Sequence, residues 1–206
     1  MKSKYLLALL VPLFLVGCGN SSNGGGNSQG TGGDEPETFE FNVDFTTQPT
    51  INGEQVSPFV DAIKNIFNYE GSNLVSGLNY TGYCQIYEAE QNTETATWNE
   101  RALVIGSKNG MGKLDFTFNK KLVSVHFIAR THLKLISYTG YSGYNADTNS
   151  KLFVNDETWS MTNRSDADYG VDDKKFQINS NKLTLKTLDE AQKRVWIFSA
   201  NFVFEK

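Results

Sequence analysis

Between residues 39 and 205 apolar and polar side chains alternate with a period of two. "FEFNVDF" (39–45) puts Phe39, Phe41, Val43 and Phe45 on one face of an extended chain. Strict alternation of this kind marks a strand buried on one side only. The signal returns in "ALVIGS" (102–107), "KLDFTF" (113–118), "LVSVHFIAR" (122–130), "KLFVND" (151–156), "KKFQINS" (174–180), "KLTLKT" (182–187) and "RVWIFSANFVFE" (194–205). The breaks between them, "KNGMG", "FNKK", "NDET", "NSNK" and "DEAQK", hold the Asn, Gly, Asp and Ser that turns need. "NSNK" reads as a tight hairpin between two strands. The first and last strands share an aromatic alternation and are expected to pair and close the domain. Many short antiparallel strands indicate an all-β fold, an antiparallel β-sandwich of jelly-roll type. No period of about 20–50 residues repeats, which excludes solenoids and propellers.

One stretch breaks the pattern. In "SPFVDAIKNIFNYEGS" (57–72), Phe59, Ile63, Ile66 and Phe67 fall at helical spacing. Ser57 is a candidate N-cap, Pro58 suits the first helical position, and Gly71 can end the helix. A short N-terminal amphipathic helix across one end or edge of the sheets is expected. The 14 Phe, 9 Tyr and 3 Trp of the chain are enough to fill one sizeable core. A formal charge of −4 argues against nucleic acid as a main partner, since that role calls for a basic patch.

Residues before the first strand have a different character. Lys2 and Lys4 precede the apolar run "YLLALLVPLFLV" (5–16). The run is too short to span a bilayer, which takes about 20 residues, and Pro12 would kink a spanning helix. A basic start followed by a short apolar run is the pattern of a secretory signal peptide. The run ends in Leu15-Val16-Gly17-Cys18, which resembles the bacterial lipobox. That resemblance implies that residues 1–17 are a lipoprotein signal peptide and that Cys18 becomes an acylated amino terminus. Two or three acyl chains, palmitate among them, make a stable anchor, because each buried CH₂ contributes about 0.8 kcal/mol. The implied location is the extracytoplasmic side of a bacterial cell membrane, with the membrane itself as a partner through the lipid.

After Cys18 the chain reads "GNSSNGGGNSQGTGGDEP", without a side chain to bury. Residues 18–36 are therefore expected to be the lipidated cysteine and a flexible tether, with a random-coil reach of roughly 25 Å. Residues 37–206, about 170 of them, suit one β-sandwich domain. Cys84 is then the one remaining thiol, so the mature chain forms no internal disulfide. Its strand-like surroundings read as those of a small buried hydrophobe.

The stretch "ALVIGSKNGMGKLDFTFNKKLVSVHFIARTH", with "KLFVNDETW", "KLTLKT" and "RVWIFSANFVFE", resembles a module of secreted proteins and lipoproteins of Firmicutes and Mollicutes. The likeness covers roughly residues 100–206, with weaker agreement at "FNVDF". It implies a carbohydrate-binding-like jelly roll of the kind often appended to extracellular enzymes. Two departures stand out: residues 139–150 are longer and richer in Tyr here, and no catalytic domain accompanies the module.

No catalytic set emerges. The chain has no Gly-x-Ser-x-Gly and no Gly-rich phosphate loop before a helix. His126 and His132 read as ordinary interior or surface histidines, and zinc would need more ligands than these. No carboxylate pair is marked for glycoside cleavage. "SDADYGVDD" (165–173) clusters Asp166, Asp168, Asp172 and Asp173, but its spacing misses the calcium loop of EF-hands. A solvated acidic loop is the expectation, and no cofactor is expected; a structural calcium near Asp147 or Asp168 is the nearest alternative. Trp98 and Trp159 read as core or rim.

The most suggestive stretch is "SYTGYSGYNADTN" (137–149). Tyr138, Tyr141 and Tyr144 recur every three residues among Gly, Ser and Asn, followed by Asp147. Small residues let a loop present aromatic faces, on which the C–H faces of a sugar stack while Asn and Asp take its hydroxyls. Tyr with adaptable polar neighbours also suits a protein-binding loop. These four residues are the ligand-binding candidates, and a glycan or a surface protein is the expected partner. The expectation is a membrane-anchored, surface-exposed lipoprotein with a non-catalytic binding module. The alternatives are a structural or assembly lipoprotein of the envelope and, third, a hydrolytic enzyme.

Overall fold

The alternation becomes one antiparallel sheet folded over on itself. The computed structural model describes residues 36–51, 53, 56–90, 99–138, 141–163 and 170–206, with backbone alone for 56–57, 88–90, 99–100, 133–138 and 141–146. The signal peptide, Cys18, the tether to residue 35, Trp98, Asp166 and Asp168 lie outside the described residues. In chain order the elements are β1 (Thr38–Asp44), α1 (Val56–Ile66), β2 (Asn68–Tyr69), β3 (Ser72–Asn73), β4 (Val75–Gly82), β5 (Cys84–Glu90) and β6 (Asn99–Ile105). They continue as β7 (Gly112–Thr131), β8 (Leu133–Tyr138), β9 (Tyr141–Ala146), β10 (Lys151–Val154), β11 (Glu157–Ser160), β12 (Asp172–Thr187) and β13 (Val195–Glu205). The main sheet follows the path β11-β10-β12-β7-β13-β6-β5, with β1 added on β13 and β4 on β7. The β2–β3 and β8–β9 pairs form ladders of their own. The all-β expectation holds.

Two of the expected turns are not turns. "FNKK" lies inside β7, a strand of 20 residues, and "NSNK" lies inside β12, a strand of 16. Residues 112–118 of β7 pair with β4, residues 122–131 pair with β13, and β12 runs beside both halves. Ending either strand at the corner would orphan backbone groups that still have a neighbour to bond. The chain bends instead. The β12–β7 register shifts on both sides of Ser180, and Asn179 takes φ 50°, a left-handed conformation that Asn enters more readily than most residues. The residues read as hairpin chemistry thus build a bulge, which bends a strand and sharpens its twist. Asn119 marks the corner on β7. Its backbone N–H donates to Leu74 O (2.9 Å) and its side-chain amide donates to Asn73 O (2.8 Å).

The bend brings two layers face to face, so the sandwich is one continuous sheet whose strands cross the corner. Phe116 and Phe118, before the corner, meet Phe202 and Phe204 of β13. Phe118 lies 6.1 Å from Phe202 and 5.1 Å from Phe204 between ring centres. Phe67 fits among them, 5.6 Å from Phe116 and 5.1 Å from Phe202. It lies just past the end of α1, whose Phe59 and Ile63 are also fully buried. The helix is where the spacing predicts, but its ends differ. It begins at Val56, so Ser57 lies inside it rather than capping it, and it ends at Ile66. Gly71 belongs to the β2–β3 hairpin, where Glu70 (φ 49°) and Gly71 (φ 79°) form a two-residue turn with both φ angles positive. That turn matches the right-handed twist of its flanking strands.

β1 and β13 pair as expected, from Thr38 opposite Glu205 to Asp44 opposite Ser199. Trp159 joins the core against Phe176, at 5.7 Å. Cys84 is buried, and its thiol donates to Lys113 O. Burial pushes its pKa up to about 12.

Candidate functional site

The tyrosine stretch expected as a loop is an antiparallel hairpin. β8 and β9 pair from Leu133 opposite Ala146 to Tyr138 opposite Tyr141. Small polar residues are depleted in strands, which is why the sequence points to a loop here. Alternation along a strand changes what the three-residue recurrence means. Tyr138 and Tyr141 are directly opposed and share one face of the ladder at its far end. Tyr144 pairs with Leu135 on the other face. The three tyrosines therefore do not form one shelf.

The root of this hairpin is a buried polar clamp. Asp147 N–H donates to His132 O (3.0 Å), closing the two chain ends of the hairpin. The Asp147 carboxylate accepts three bonds from Arg194: from Nε (2.7 Å), from Nη2 (2.8 Å) and from the backbone N–H (3.1 Å). Thr131 Oγ1 donates to Asp147 O and lies 3.0 Å from Ser150 Oγ. Lys193 Nζ donates to Thr148 O (2.7 Å). Asp147 is only 5% exposed. Both its oxygens are committed to Arg194, so it positions the hairpin rather than meeting a ligand from solvent. A guanidinium on the carboxylate also competes with the structural calcium considered for this residue. In the acidic stretch, Asp172 Oδ2 accepts from Thr162 N–H (2.8 Å) and Asp173 is exposed.

Sequence reading misses a second feature. Opposite the Phe core, β1, β13, β7 and β12 expose a face whose residues align in rows. One row runs Asp44–Ser199–Ile128–Asp173. The next runs Asn42–Asn201–His126–Lys175, and the third Glu40–Val203–Ser124–Gln177, in which Ser124 is buried. Asn201 Nδ2 donates to Asn42 Oδ1 (2.7 Å) and to Glu40 Oε2 (2.9 Å). A cleft of about 370 Å³ opens over the first two rows, between Asn42, Asp44, His126, Ile128, Ser199 and Asn201. These residues come from the start, the middle and the end of the chain, and the β1–β13 and β13–β7 registers bring them together. The matching alternation of β1 and β13 is the one sequence signal that could have found them.

Fold and faces define an all-β domain with one hydrophobic core, a clamped hairpin and an open polar sheet face. The chain matches no protein-family model and no curated protein. Among solved structures it is similar to the carbohydrate-binding module TmCBM61 in complex with β-1,4-galactotriose. The identity is 13%, the match covers 65% of this chain and 91% of that one, and the TM-score is 0.35. A likeness that distant says nothing about a ligand, and the all-β class rests on the strands described above. Among the described residues no group of three or more His, Cys, Asp and Glu side chains is placed to hold a metal ion.

Proposed function

We propose that the chain is a lipid-anchored, non-catalytic binding module of a bacterial surface, and that its ligand is a glycan. The observation that carries this reading is the β8–β9 hairpin. It forms a ladder of its own beyond the main sheet, it is rooted by the Asp147–Arg194 clamp, and its far end pairs two tyrosines on one face. A fixed scaffold presenting a short aromatic-bearing element is the arrangement on which binding residues concentrate. Tyrosine supplies rigid contact area at low entropic cost. The lipobox-like Leu15–Cys18 and the Gly/Ser/Asn stretch after it support an anchor at Cys18, with the domain on the extracytoplasmic side.

The test is a glycan array probed with the full-length mature protein, next to a Tyr138→Ala/Tyr141→Ala variant. Binding to a defined glycan class, lost in the variant at unchanged thermal midpoint, is the expected result. A cross-strand aromatic pair contributes only about 0.2–1 kcal/mol, so the variant keeps its fold. Retained binding refutes the role of the hairpin. No binding on the array, together with a reproducible crosslinked envelope protein, replaces the glycan reading by the structural one. Intact mass of the mature protein checks the anchor, since an unmodified amino terminus at any residue other than Cys18 overturns it.

A further inference from the structure

The geometry points to the polar face of β1, β13, β7 and β12 as a binding site for a neutral sugar chain, centred on Asn42, Asn201 and His126. This rests on the glycan reading above and names a different surface for it.

A solvated face on an antiparallel sheet is ordinary. This one is not built as such a face usually is. Strands select β-branched and aromatic residues, and Asn and Asp are disfavoured there within a range of about 1 kcal/mol. Yet Asn42 and Asn201 face each other on neighbouring strands, with Asp44 and Asp173 in the adjoining row. Residues that oppose local preference concentrate where function needs them. The face also carries a half-open depression of about 370 Å³.

The chemistry of the lining selects the ligand class. Both N–H groups of Asn201 are spent on Asn42 and Glu40, which fixes the plane of its amide. The Asn201 carbonyl and the Asn42 NH₂ then offer an acceptor and donors side by side. His126, in the same row, is half-buried and adds a ring that can donate and accept. A pair of neighbouring hydroxyls, each both donor and acceptor, complements this set. Ile128, half-buried in the adjoining row, supplies an apolar side chain against which C–H groups of a pyranose rest. The charges nearby discourage an anion: Glu40, Asp44 and Asp173 outnumber Lys175 on these rows. A neutral oligosaccharide fits where a phosphorylated or uronic one does not.

The experiment is NMR on isotopically labelled full-length protein. The probes are cellotetraose, β-1,4-galactotetraose, xylotetraose and mannotetraose, each added to millimolar concentration. At least one sugar is expected to shift the Asn42 and Asn201 side-chain amides and the His126 ring. An Asn42→Thr/Asn201→Thr variant is expected to weaken that sugar by about tenfold or more. Its thermal midpoint should hold or rise, because Thr suits a strand better than Asn. Retained affinity at a lowered midpoint would make the two asparagines structural and overturn the inference. Shifts confined to residues 133–146 overturn it while leaving the glycan reading intact. Silence from every sugar overturns this inference, while the glycan array still decides the broader reading.

Discussion

The Asp147–Arg194 clamp combines an ion pair with three hydrogen bonds at a largely buried site. Replacing Asp147 by Ala leaves Arg194 without its carboxylate in a place where the pair is 5% and 21% exposed. Three hydrogen bonds are lost at once, two of them from a guanidinium fork. Breaking a buried pair from one side costs about 3–5 kcal/mol. The partial exposure of Arg194 lets water reach it, which places the expected loss at about 3 kcal/mol. For a domain of this size each kcal/mol moves the midpoint by about 2–4 °C, so a fall of about 6–12 °C is expected. Buried Trp159 and Trp196 report the transition by fluorescence. Arg194→Met should cost a similar amount, and the double variant less than the sum of the two, since both then lose the same contact. Hydrogen exchange should show the 133–146 amides opening in Asp147→Ala well below the global transition. A midpoint shift under about 2 °C, or strictly additive single variants, refutes the clamp.

Phe67→Ala removes the ring shared by both layers and should lower stability by about 3–5 kcal/mol, read from urea unfolding. Gly71→Ala meets no neighbouring atom, so its cost is backbone strain alone, about 1–2 kcal/mol by the same measurement. Cys84, with its thiol pushed up to about 12, should resist thiol reagents at neutral pH in native protein and react once denatured; fast native labelling contradicts the burial. For Asp115, burial favours the neutral acid, but hydrogen bonds from Lys113 and Thr184 outweigh it and hold the pKa below its usual 3.8. A depressed carboxylate pKa contributes stability that is complete above the unfolded value and disappears as pH falls through the folded one. Asp115→Asn should therefore flatten the loss of stability below about pH 4, and an unchanged acid limb in pH-dependent unfolding counts against the Lys113–Asp115–Thr184 network.

The alternation of "FEFNVDF" and "RVWIFSANFVFE" was sufficient to place β1 and β13 and to pair them, because each strand carries its own record of which face is buried. Strand ends were less legible. Asn119 and Asn179 are turn residues by chemistry, and whether they end a strand or kink it depends on neighbours in β4 and β13 that lie far along the chain. The β8–β9 hairpin was hidden by its Ser, Gly and Asn, and its three-residue tyrosine spacing reads differently once the backbone is extended. Asp147 looked like a surface acid because its partner, Arg194, is distant in sequence. The row Asn42–Asn201–His126 was out of reach for the same reason, since it exists only through the register of three strands far apart along the chain.

That register has a mechanical side. Glu37 and Lys206 lie together: the Lys206 N–H donates to Glu37 O (2.8 Å), and its Nζ reaches Glu37 Oε2 at 3.1 Å. Tension entering through Pro36 is therefore felt first along the seam between the opening strand and the closing one. A pull parallel to that seam loads all its rungs together, whereas a pull away from the edge opens them singly, starting at the Glu37–Lys206 pair. The same force is therefore shared along the whole seam in one direction and falls on a single rung in the other.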